Sequence, residues 1–197
     1  MIQTRQYRPL FEYAAATYTF QLGKSQHLFS PWYAGPGRAA FADEWLEAVA
    51  LHESLGNPKA RRYEKHQDKK GRADAATDAD RPGVDDGTLE DDASYGLMQV
   101  MGYNWRKILG SRAANEFTVL PVELRFDVLL DPLVSIYAGC VVLSWELAAT
   151  GGDVARALAR YNGGPSGEKM VAGRMRTQAY VDKVRAALDQ VRSDRAR

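Results

Sequence analysis

The 197-residue sequence predicts a mainly α domain with at most a small β-hairpin, and three observations carry that prediction. Phe41, Trp45, Val49 and His52 recur at helical spacing, with Leu46 and Ala50 beside them. Asp131-Pro132 is a helix-start signal, with Asp as the N-cap and Pro at the first helical position, ahead of a long apolar run. Tyr180, Val181, Val184, Leu188 and Val191 form a third stripe near the C-terminus. The composition, 45% hydrophobic and 26% charged, supplies both a core and a solvated surface. The 26 Lys+Arg against 25 Asp+Glu leave a net charge of +1, without the cationic surplus that phosphate contacts need, so no nucleic-acid partner is expected.

Residues 1–40 hold Tyr7, Phe11, Tyr13, Tyr18, Phe20, Phe29, Trp32 and Tyr33, then Gly35-Pro36-Gly37. The aromatics call for a packing surface, and Pro31 with Gly-Pro-Gly rules out one long helix, so this stretch reads as an extension packed on a main domain at 41–192. Arg5, Arg8 and the run Pro9 to Leu22 imitate a signal peptide faintly. Glu12, Thr17, Thr19 and Gln21 interrupt it, and it reads as mature protein. The first clear helix runs from about Phe41 to Leu55, ended by Gly56-Asn57-Pro58. Glu53 thus falls in the last turn, facing the negative end of the helix dipole, where a carboxylate gains nothing and its presence calls for a reason.

From His66 to Ala93 nine acids stand against four basic residues, with Val84 and Leu89 the only larger apolar side chains, so 66–93 reads as an acidic surface loop. Asp78-Ala79-Asp80 hints at a calcium loop, but Leu89 stands where a bidentate Glu is needed, so no metal is expected. Leu97, Met101, Trp105 and Ile108 then suggest an apolar helical stripe, and Pro121 opens a short helix through Leu130. The helix begun at Asp131-Pro132 runs to Gly151-Gly152 as a central element. Ser135, Gly139, Ser144 and Glu146 interrupt it, so it is not expected to span a bilayer. Asp153 caps the next helix, which stops at Asn162-Gly163-Gly164-Pro165, and the last starts near Thr177.

Several chemistries are missing. There is no P-loop, His52-Glu53 has no second His four positions on, and no Gly-x-Ser-x-Gly elbow occurs. The single cysteine, Cys140, forbids an intramolecular disulfide and reads as a core residue. What remains is an ordered series: Glu53-Ser54, Ser94-Tyr95-Gly96-Leu97-Met98-Gln99-Val100-Met101, Tyr161-Asn162-Gly163-Gly164-Pro165 and Ala179-Tyr180-Val181. If these termini converge, one carboxyl sits among aromatic and neutral hydrogen-bonding groups, which suits a general acid for glycosidic oxygen.

The series resembles the lysozyme-like lytic transglycosylases, the soluble lytic transglycosylase and goose-type lysozyme superfamily of glycoside hydrolase family 23, in the family's order from Trp45 to Leu188. Each piece is weak alone, and their common register makes them specific. The resemblance implies a lysozyme-like fold and cleavage of the β-1,4 bond between N-acetylmuramic acid and N-acetylglucosamine in peptidoglycan. It implies that Glu53 protonates the glycosidic oxygen and then acts as base, leaving a 1,6-anhydromuramoyl end without a second carboxylate, unlike the two-carboxylate scheme. Ser54, Gln99 and Met101 would line the cleft. Tyr161 and Asn162 would contact or position the sugar and the acid, and Tyr180 would orient the acid. No cofactor is implied. Arg160 and Arg176 depart from the family pattern, which often has Ala and an acid there.

Two alternatives stay open: a lysozyme-type muramidase in which Glu64 or a loop acid activates water, and a non-catalytic wall-binding component. A monomer acting on the cell wall is expected. With neither signal peptide nor anchor seen, a phage endolysin, a virion-associated lysin or an excised domain of a larger secretion-apparatus protein would each fit.

Overall fold

The computed structural model describes residues 3–17, 19–22, 25–28, 39–63, 93–105, 108 and 126–197. After a 3-10 turn at Gln3–Tyr7 come α1 (Arg8–Thr17), a hairpin of β1 (Thr19–Leu22) and β2 (Ser25–Leu28), and α2 (Ala39–Ser54). Strands β3 (Arg61–Tyr63), β4 (Ala93–Tyr95) and β5 (Val100–Met101) form an antiparallel sheet in that order. Then follow α3 (Pro132–Ala149), α4 (Val154–Gly163), a hairpin of β6 (Met170–Val171) and β7 (Arg174–Met175), and α5 (Gln178–Arg195). The protein is mainly α, as its helical periodicities predict. Strand content exceeds the one hairpin expected, because segments of two to four residues pair without a readable alternation of apolar and polar side chains.

α3 is the central helix. Ile136, Ala138, Gly139, Cys140, Val142, Leu143 and Leu147 are all buried, and burial pushes the Cys140 thiol well above its ordinary range, so it is a core residue and not a thiolate. Asp131 caps it as the sequence predicts, its Oδ1 accepting from the backbone N–H groups of Leu133 (2.9 Å) and Val134 (3.1 Å). Among the described residues α3 is the one helix long and apolar enough to cross a membrane by length and composition. With 56% of it buried inside the protein, it is a core helix. α2 packs against α5, and α1 covers α2 and α3 with Phe11, Ala14 and Ala15 buried in the same core.

The expected helical stripe at 97–108 is overturned at its start. Residues 93–101 are two strands joined by the turn Gly96–Gln99, because Gly96 (φ 72°) and Gln99 (φ 47°) both adopt left-handed backbone that an α-helix cannot contain. Gly96 is required twice over, since a Cβ there would stand 2.0 Å from the Leu129 carbonyl oxygen. The acidic loop expected at 66–93, apart from Ala93, and the helix start at Pro121 lie outside the described residues, as does Glu64.

One turn apart in the first two-thirds of α2 stand two buried acids, Asp43 and Glu47. Glu47 accepts from Thr4 Oγ1 (3.1 Å), Arg8 Nε (3.0 Å) and Arg195 Nη2 (2.7 Å). Asp43 accepts from Arg195 Nη1 at 2.5 Å. This cluster joins the N-terminal segment, α2 and the end of α5 through charge-assisted bonds that a buried carboxylate needs.

Candidate active site

Glu53 lies in the last turn of α2, half-buried. The chain leaves the helix through Leu55 (φ 54°) and Gly56 (φ 81°), a left-handed pair that turns it sharply toward β3. Ser54 serves this exit: its hydroxyl donates to the Ala50 carbonyl (3.1 Å) and accepts from Gly56 N–H (3.2 Å). The glycine also lets the N-terminal segment close over it, since a Cβ would stand 2.9 Å from the Gln3 carbonyl carbon.

Tyr180, from the first turn of α5, is buried and donates its hydroxyl to Glu53 Oε1 at 2.6 Å. The His52 ring meets Tyr180 edge-on, centroids 5.0 Å apart. Burial, with Lys183 and Arg62 adding repulsion, holds the His52 imidazole below its ordinary pKa, so the ring beside the acid is neutral. Burial and then the charge of Glu53 push both the Tyr180 and Tyr161 phenols well above the usual tyrosine range, which keeps them as O–H donors. Among the described residues, Glu53 is the only carboxylate whose charge reaches both rings.

The wall facing this acid is the Gly96–Gln99 turn. Tyr161, near the end of α4, donates its hydroxyl to the Met98 carbonyl at 2.7 Å. Met98 N–H donates to Ser135 Oγ (3.1 Å) on α3, and a Cβ at Gly139 would stand 2.7 Å from the Met98 side chain, so the turn lies flush on the central helix. Gln99 is buried, and its amide is engaged. Nε2 donates to the carbonyls of Gly96 (2.9 Å) and Ala60 (3.2 Å), while Oε1 accepts from Ser94 Oγ (2.9 Å). Gly96 N–H also donates to Ala60 O at 2.8 Å, so Gln99 binds the chain leaving α2 to the β4–β5 turn. These bonds offset the cost of its left-handed backbone, roughly 1–2 kcal/mol.

Of the residues singled out in the sequence, Glu53 and Tyr180 are in direct contact, and Tyr161 senses the same charge while gripping the opposite wall. Met101 is partly buried on β5, opposite Ser94 in the register. Asn162 is exposed at the end of α4. The Ser54 side chain is turned to local backbone, and that of Gln99 to Ser94, Gly96 and Ala60. Arg160 binds Glu146 Oε2 (2.5 Å) on α3 and Glu168 Oε1 (2.8 Å) beyond α4, so it braces the helix that carries Tyr161. His52 and Ser94 were missed as site residues. Each is adjacent to or within a motif already quoted, which was the available signal.

The mainly α architecture with small antiparallel sheets is that of a lysozyme-like fold. The chain belongs to the Transglycosylase SLT domain family, whose model matches residues 34–180. No curated protein and no solved structure matches the chain. Family membership makes the activity transglycosylase-type and the substrate peptidoglycan, and places its action at the cell wall. Residues 3–17 precede the matched region yet share its core.

Proposed function

We propose that the protein is a lytic transglycosylase that cleaves the MurNAc-β-1,4-GlcNAc bond with Glu53 as its general acid and base. The observation that carries this reading is the 2.6 Å hydrogen bond from the Tyr180 hydroxyl to Glu53 Oε1. This hydroxyl fixes the direction of the carboxyl and can donate to it whether or not its other oxygen carries a proton. Glu53 Oε2 delivers a proton to the glycosidic oxygen as the C1–O4 bond breaks and N-acetylglucosamine leaves. The neighbouring acetamido oxygen shields the electron-poor C1. The Glu53 carboxylate then takes the proton of the 6-hydroxyl of the same muramoyl sugar as its oxygen bonds to C1. The proton returns to Glu53, no water is consumed, and a 1,6-anhydro ring closes. Tyr161, the Gln99 clamp and Met101 shape the wall against which the sugar rests, and the exposed Asn162 amide meets its polar groups. Ser54 contributes by holding the helix exit that aims Glu53.

Mass spectrometry of the muropeptides released from purified peptidoglycan tests the reading, with Glu53→Gln as the control. Anhydromuramoyl ends that vanish in the variant are expected. Reducing ends would replace the proposal by a muramidase, and an inactive wild type that still binds the wall would leave a binding component.

A further inference from the structure

We propose that the β6–β7 hairpin is an interfacial anchor that docks the protein on an anionic lipid surface. Its two strands carry the most exposed run of large apolar side chains among the described residues, Met170 at 65% and Val171 at 62% exposure. The exposure is built in. Arg176 N–H donates to Lys169 O (2.9 Å), Thr177 N–H donates to Gly167 O (3.2 Å), and Thr177 Oγ1 reaches Ala159 O (2.9 Å). Gly167 lies so close to α4 that a Cβ would stand 2.0 Å from the Ala159 oxygen. At the tip, Ala172 (φ 50°) and Gly173 (φ 78°) make the two-residue turn whose twist suits a tight hairpin. A hairpin closed at both ends cannot fold its apolar side chains back onto the domain.

Charge selects the occupant. Lys169 and Arg176 flank the hairpin, exposed and without a carboxylate partner among the described residues. Arg174 has only a 3.5 Å contact with the exposed Asp182. Arg176 stands where the family resemblance implies that an acid is common, so the cation is a feature of this chain. Beneath the hairpin lies a groove of about 800 Å³ with a mixed lining, in which Met170, Met175, Ala155 and Pro165 stand beside Lys169, Arg174 and the acids Asp153 and Glu168, the latter paired with Arg156 and Arg160. A wall polymer offers anions to the cations but nothing to Met170 and Val171. A bilayer interface offers phosphates to the first and acyl chains to the second.

Co-sedimentation of the full chain with phosphatidylcholine vesicles, with and without phosphatidylglycerol, tests this. The wild type is expected to pellet with the phosphatidylglycerol vesicles and not with the neutral ones. Lys169→Gln/Arg174→Gln/Arg176→Gln should weaken that binding about 100-fold, at about fivefold per cation. Met170→Ser/Val171→Ser should weaken it about tenfold at unchanged charge. Both variants should keep wild-type circular dichroism and wild-type turnover of soluble glycan fragments, which separates this result from the catalytic reading. The proposal is overturned if the wild type does not pellet, or if the serine variant binds as well as wild type. Hairpin-dependent binding to purified peptidoglycan with none to vesicles would assign the surface to the wall instead.

Discussion

Two carboxylates on α2 are held in opposite ways. In the middle of the helix Glu47 is fully buried and grips two guanidiniums, those of Arg8 and Arg195, as well as the Thr4 hydroxyl. In the last turn of the same helix Glu53 is half-buried and takes a hydrogen bond from a neutral phenol, with a neutral imidazole behind that ring. A carboxylate clamped between permanent cations is fixed as an anion and serves as structure. One held by a phenol keeps its geometry while exchanging a proton. On the proposed function, one helix thus carries a structural acid, Glu47, and a reactive one, Glu53.

Exchanging each acid for its amide breaks the comparison most directly. Glu53→Gln should lower muropeptide release by about 10³-fold or more while thermal unfolding stays near wild type, because the removed group reacts and does not pack. Glu47→Gln should do the reverse. It leaves Arg8 and Arg195 without their charge partner, costs about 3–5 kcal/mol, and should lower Tm by about 10 °C while cold-measured turnover persists. Unfolding scans beside turnover assays check both, and a Glu47 variant that is stable but inactive would refute the division of labour.

Tyr180→Phe sharpens the comparison at the reactive end. It removes only the 2.6 Å bond to Glu53 and leaves a ring of the same size against His52. We expect kcat to fall about tenfold with KM little changed, since the phenol orients the acid and need not touch the sugar. A change confined to KM would place Tyr180 among the sugar contacts.

Local signals made much of this legible. The caps at Asp131 and Asp153, the stop at Gly56-Asn57-Pro58 and the final stripe from Tyr180 all lie where propensity and periodicity put them, because each rests on neighbours in sequence. The 93–101 segment misled, since Leu97 and Met101 fall at helical spacing while Gly96 and Gln99 hold left-handed backbone set by Leu129 and Ala60, far along the chain. Gln99 shows the same limit at the site. Its motif marks it as special, but only the fold reveals that its amide is engaged with Ser94, Gly96 and Ala60. The buried cluster around Glu47 was not legible, because its partners lie 39 and 148 residues away in sequence.

The smallest effect expected is a pH dependence at the junction of the two halves of the comparison. His52 precedes Glu53 and stacks edge-on against Tyr180, and its folded pKa is held below the ordinary value by burial, with Lys183 and Arg62 opposing a further charge. As pH falls through about 6.5 the unfolded chain takes up the proton before the folded one does. The stability contributed by a neutral His52 is therefore complete above that pH and is lost as pH falls toward the folded value. Between about pH 7.5 and 5.5, Tm of the wild type should decline more steeply than that of His52→Gln, which keeps a polar side chain but cannot titrate in that range. If the two slopes coincide, the ring is not held neutral by its surroundings. If they diverge while activity in the variant at neutral pH is retained, the imidazole is held neutral beside Tyr180 without taking part in proton transfer.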